Sequence, residues 1–120
     1  MTLSELYTAI GGDYDGVLSR LMNSEKMVQK FVLKFLNDKS YDSLLQSMAA
    51  ADYKEAFRAA HTIKGVGQNL GFTALYQSAG ILSDALRDGQ KPDNALVDQV
   101  CADYQKTAEA IRAFQDSLDA

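Results

Sequence analysis

The sequence predicts an all-α fold: an antiparallel up-down four-helix bundle with short N-terminal helices packed on one end. Three observations lead there. Apolar residues recur at spacings of three and four along most of the chain, the period of one helix face. No run of alternating apolar and polar residues is long enough to predict a strand. The connections between helical stretches are short, and short connections join antiparallel neighbours. The 120 residues are expected to form one domain, with short helices in residues 1–22 and the bundle in 24–118.

The elements follow in order. The first, LSELYTAIG, is closed by Gly11 and Gly12. The second, YDGVLSRLM, has Asp13 as its N-cap, since an aspartate oxygen accepts from an unpaired N–H of the first turn. Ser24 opens the third, whose apolar positions 27, 28, 31, 32, 35 and 36 make one stripe. The fourth, YDSLLQSMAAA, takes Ser40 as its cap. Asp52 starts the fifth, DYKEAFRAAHTIKGVGQNL, and Gly71 ends it. The sixth places Phe72, Leu75, Ala79, Leu82 and Leu86 on one face and stops at Gly89. Pro92 suits a first helical position, so the last helix is expected to begin about there, with Leu96, Val100, Ile111, Phe114 and Leu118 as its apolar face. The methionines, Met27 and Met48 among them, and the tyrosines read as core or boundary filler.

Composition excludes several functions. A net charge of −4 argues against broad nucleic-acid binding, which needs a basic excess. One cysteine, Cys101, cannot form an internal disulfide and agrees with a reducing compartment. One histidine and one cysteine do not supply the usual nitrogen and sulfur ligands of a zinc site, so no metal is expected on this chain. No segment is apolar for long enough to span a membrane. The opening residues have neither the basic flank nor the apolar run of a signal peptide, so a cytoplasmic location is expected.

The single histidine, His61, lies in the fifth helix. At about 100° per residue, Leu70 falls opposite it, and Ala56, Ala59, Ile63 and Val66 fall within about 40° of Leu70. That alanine-rich side is the core face. Around His61 lie Lys54, Phe57, Arg58, Lys64, Gly65 and Gln68, so the imidazole points outward. A core histidine does not fit this wheel, whereas an inconsequential surface histidine does.

Two features favour a function. Gly65 costs about 1 kcal/mol relative to alanine in a helix interior, and it sits one turn after His61 on the same face. Its absent side chain leaves room above the imidazole. The neighbourhood is also basic within an acidic chain, and Lys64 at i+3 can reach an anion bound to the ring. A neutral imidazole nitrogen is a good nucleophile near neutral pH. Phosphoryl transfer needs positioning and charge neutralisation more than anything else from the protein. Gly67 lies toward the core flank, where close helix packing accounts for it.

The stretch AAHTIKGVGQNLGF resembles the signature of histidine-containing phosphotransfer (HPt) domains: H-x-x-K-G, a small-residue stretch, then L-G. His61, Lys64, Gly65, Leu70 and Gly71 match it. Arg58, Ala60 and the later LRDG also fit, and the GGDYDGVLSRLMN start is similar to small free-standing bacterial members. The resemblance implies a four-helix bundle with the active histidine exposed midway along one helix. It implies a carrier that takes a phosphoryl group from a receiver aspartyl phosphate or a histidine kinase and passes it to a receiver. His61 would be phosphorylated through Nε2, Lys64 would steady the phosphoryl group, and Gly65 would give access. Gln68 and Arg58 would belong to the phosphate environment, and Phe57 and Lys54 to the docking surface. Phe57 has an equal alternative, packing at the boundary against a neighbouring helix. Two positions depart from the pattern. Ser83 stands where relatives often carry a long polar residue facing the ring, and Val66 is bulkier than their serine or alanine.

No Walker motif is present, and GVGQNLG fits neither G-x-G-x-x-G nor a strand-to-helix turn. The chain is therefore expected to have no ATP-dependent kinase activity and no cofactor of its own, with Mg²⁺ held by the partner receiver. Expected partners are receiver domains and a histidine kinase, with no nucleic acid, no membrane and a monomeric state. Two rivals stay open: a helical docking module that binds receivers or kinases without carrying phosphate, and an unrelated helical enzyme. Asp84 and Asp88 read as a solvated face, leaving the second rival without a catalytic grouping.

Overall fold

The structure, a computed structural model, describes residues 1–119. The described residues form seven helices: α1 (Leu3–Ile10), α2 (Tyr14–Arg20), α3 (Glu25–Phe35), α4 (Ser40–Ala49), α5 (Tyr53–Asn69), α6 (Thr73–Leu86) and α7 (Asn94–Leu118). There is no strand among the described residues. Residues 24–118 thus hold five helices, and one of the five stands outside any four-helix set.

Local chemistry sets most of the boundaries. The side chains of Asp13, Ser24 and Asp52 accept from the N–H groups of Gly16, Met27 and Glu55, as N-caps do. Thr2 and Glu5 form a capping box on α1. At the end of α5, Gly71 takes a left-handed conformation (φ +72°). Its N–H donates to Gln68 O and that of Phe72 to Gly67 O, so two last-turn carbonyls are satisfied in a Schellman turn.

Several expectations are corrected. Ser40 is the first residue of α4 and not its cap: the Asp38 carboxylate accepts from the Ser40 N–H at 2.8 Å, while Lys39 at the cap position makes no side-chain bond. Pro92 precedes the last helix. Asp93 caps α7 by accepting from the Ala95 N–H, so the helix starts at Asn94. Met27 (40% exposed) and Leu118 (44% exposed) lie outside the core. Val66 is only half-buried, on the margin of the α5 core face.

The core runs between the apolar faces of all seven helices. α5 packs most extensively on α6 and next on α4; α6 also packs on α7, and α7 receives α1 and α3. Tyr41 of α4 stacks on Tyr104 of α7 with centroids 3.8 Å apart. α5 and α6 run antiparallel. A Cβ on Gly67 would lie 3.2 Å from Tyr76 Cβ, and one on Gly80 would meet the Lys64 stem at 3.4 Å. Gly67 therefore allows close helix approach.

The N-terminal helices fasten the end of α5. The buried Tyr7 hydroxyl donates to Leu70 O at 2.6 Å, and burial pushes its phenol well above the ordinary pKa. The Asp13 N–H donates to Gly71 O at 2.8 Å. The Arg20 guanidinium donates to Asn69 O and Gln68 O at 3.2 and 3.1 Å, as suits a cation at a helix C-terminus. Tyr7→Phe removes the buried donor and leaves Leu70 O short of a partner. It is expected to lower stability by about 1–3 kcal/mol, read as a lower urea midpoint with unchanged slope.

Candidate functional site

α5 carries the site midway along its length. Its buried residues are Ala56, Ala59, Ala60, Ile63 and Gly67, nearly all small, so α4 and α6 approach closely on either side. This turns the opposite face outward. His61 is exposed, as are Lys54, Arg58, Gly65 and Gln68. Lys64 and Phe57 are half-buried and lie toward α6, one turn on either side of His61.

The space beside the imidazole is open. A Cβ built on Gly65 would meet no atom within 4 Å. Nothing within this chain requires glycine there, whereas a Cβ on Gly71 would lie 2.6 Å from Asp13 O. Gly65 and the structural glycines of the same stretch are therefore different cases.

α6 shapes two of the site side chains. Gly80 leaves a track along which the Lys64 stem lies, with Cδ, Cε and Cγ 3.4, 3.5 and 3.8 Å from the place of a Cβ. Phe57 stacks on the His61 ring, with centroids 5.8 Å apart and planes 26° apart. The Arg87 guanidinium carbon lies 6.0 Å from the Phe57 ring centre, and Arg87 pairs with Asp84 at 2.8 Å. Phe57 thus has intramolecular neighbours in His61 of α5 and in Arg87, the C-cap residue of α6.

Arg58 is drawn to its own neighbour, donating to Glu55 at 2.6 Å. It also lines a groove with Lys39, Ser43 and Thr62, on the α4 side of α5. Lys54 and Gln68 stand in solvent on the His61 face. Ser83 is buried, 1% exposed, so its hydroxyl does not stand beside the imidazole on the open side. Gly80, Asp84 and Arg87 complete the neighbourhood; Asp84 was expected only as part of a solvated face, and Gly80 carried no expectation. Their roles follow from the α5–α6 register: residue 80 against 64 places 87 against 57.

A groove of about 670 Å³ lies elsewhere, between Leu21, Phe31, Phe35 and Val66, and His61 is not in its lining. An acceptor on a convex face needs no pocket if its reactant is delivered by another protein. Among the described residues, no group of three His, Cys, Asp or Glu side chains is placed to hold a metal ion, and no helix is long and apolar enough to cross a membrane.

Fold and site together define an all-helical domain that presents one histidine, with cations near it and no bulk beside it, on an exposed helix face. The family model of the Hpt domain matches residues 33–119, and the chain belongs to that family. Its domains serve two-component signalling by phosphotransfer or docking, and interact there with receiver domains and kinases. Comparison with curated proteins and with solved structures gave no significant match.

Proposed function

We propose that this protein is a phosphoryl carrier of a two-component phosphorelay. His61 accepts the group from a receiver aspartyl phosphate or a histidine kinase and hands it to a receiver. The lone pair of Nε2 forms the N–P bond as the P–O bond to the aspartate breaks. The carboxylate leaves with its electron pair and its negative charge. The ring keeps the proton on its other nitrogen and becomes cationic, so charge balances. Lys64 offsets the negative charge of the transferred group, with Gln68 and Arg58 as secondary members of that environment. Arg58 would first have to leave Glu55. Lys54 belongs to the docking face. The receiver supplies the acidic pocket and Mg²⁺, and this chain supplies no ATP site. We place the relay in the cytoplasm and the carrier as a monomer, a single domain whose four-helix bundle is α4–α7 with α1–α3 packed against it.

Gly65 supports this role most directly. An exposed helix position with open space around it has no internal reason to be glycine, and glycine there costs helix stability. A partner that must approach the imidazole closely supplies the reason. Pure docking does not call for a nucleophile with a lysine one turn away. The test is a relay in two stages. Label is followed from phosphorylated receiver domains to this protein, and then to a second, unphosphorylated receiver. Transfer through both stages supports the carrier; binding without transfer supports the docking module.

A further inference from the structure

We propose that Phe57 and Arg87 are positioning residues that orient the His61 ring, through a relay of contacts running from α6 to α5. The inference rests on the proposed carrier role for its functional consequence, but its structural content stands on its own. Three contacts form the chain. Asp84 holds Arg87 at 2.8 Å. Arg87 lies over the Phe57 ring at 6.0 Å, within reach of a cation–π attraction. Phe57 stacks on His61 at 5.8 Å and 26°, inside the range of offset aromatic pairs.

An exposed histidine otherwise samples several χ1 and χ2 states, and an attack geometry must select one. The attacking lone pair lies in the plane of the imidazole. Fixing that plane therefore fixes the direction along which nitrogen can meet phosphorus. Phe57 restrains the plane from one side, and the gap at Gly65 leaves the ring open beside it. Phe57 needs a restraint in turn, because it is itself only half-buried. Arg87 provides it from the C-cap of the neighbouring helix, and its ion pair with Asp84 keeps the guanidinium in place. A receiver that holds its phosphoryl group rigidly can use only the aligned ring, whereas a small freely tumbling donor can approach any ring orientation.

This difference makes the test. His61 is the sole histidine, so its two carbon-bound ring protons can be followed by NMR without ambiguity. Wild type, Phe57→Leu, Arg87→Gln and Arg87→Lys are compared. Loss of the ring in Phe57→Leu is expected to shift the imidazole signals away from their stacked positions. Arg87→Gln should shift them part of the way in the same direction, and Arg87→Lys should restore them. With a phosphorylated receiver as donor, Arg87→Gln should lower the maximal transfer rate about two- to fivefold with half-saturation unchanged. With phosphoramidate as donor, the rate should not change.

Imidazole signals that are the same in wild type and Arg87→Gln would overturn the relay of contacts. Shifted signals with an unchanged receiver rate would overturn the positioning role. A higher half-saturation with an unchanged maximal rate would make Arg87 a docking contact instead. Equal slowing with phosphoramidate would make the effect one on imidazole reactivity and also overturn it. If no receiver phosphorylates wild type, the carrier role and with it the positioning role fail, while the NMR comparison still decides whether the contacts exist.

Discussion

Replacing Gly65 with glutamine is expected to leave the protein at least as stable as wild type and to slow phosphoryl uptake from receiver domains about a hundredfold. The two effects have opposite signs because they arise in different states. In the free protein a Cβ at position 65 meets nothing within 4 Å. Glutamine is a good helix former and glycine a poor one, so stability should rise by about 0.5–1 kcal/mol. In the encounter with a receiver, the added side chain occupies the space next to the imidazole. A displacement of about 1 Å at a transfer centre is enough for the expected loss. Gly65→Ala should show the same gain in stability with a smaller loss of transfer. Urea denaturation and transfer of label measure the two sides independently. A destabilised Gly65→Gln would mean that the glycine has a structural task in the free protein, contrary to the open space around it.

Gly71→Ala should act the other way, on stability first. Gly71 has φ +72°, where an L side chain costs about 1–2 kcal/mol. The new Cβ would also fall 2.6 Å from Asp13 O, which a backbone atom cannot cheaply vacate. Moving Asp13 away breaks its N–H bond to Gly71 O, whose loss costs about 1 kcal/mol. The sum is a loss of about 2–3 kcal/mol, a large share of the margin of a small domain. Equilibrium unfolding checks it. The mutation removes one of the bonds that fasten the N-terminal helices to the end of α5, ten residues beyond His61, so residual folded protein should still present the imidazole.

Features carried by one helix were legible in the sequence. The outward direction of His61 followed from the apolar wheel of α5, and Asp13, Ser24 and Asp52 were recognisable as caps because capping is a contact over two or three residues. The face of α6 from Phe72 to Leu86 was likewise complete and is fully buried. Contacts between helices were not legible. Arg87 over Phe57 and Lys64 along Gly80 depend on the register of α5 against α6, which no local pattern encodes. The Tyr7 hydroxyl reaches a carbonyl 63 residues away. Local competition explains the smaller misses. Asp38 reaches the Ser40 N–H before Ser40 can act as a cap, and Asp93 takes the capping role that moves Pro92 out of the helix. Phe57 was open between partner contact and boundary packing because its surroundings come from α6.

In the proposed relay His61 itself bears the phosphoryl group. The most direct measurement incubates wild type and His61→Gln with a panel of labelled phospho-receivers in Mg²⁺, then treats the products with acid and with alkali. Label is expected on wild type alone, lost in acid and retained in alkali, as a phosphoramidate bond requires. Label on His61→Gln would contradict it, since no second histidine exists to accept the group. So would the absence of label on wild type with every receiver that binds it.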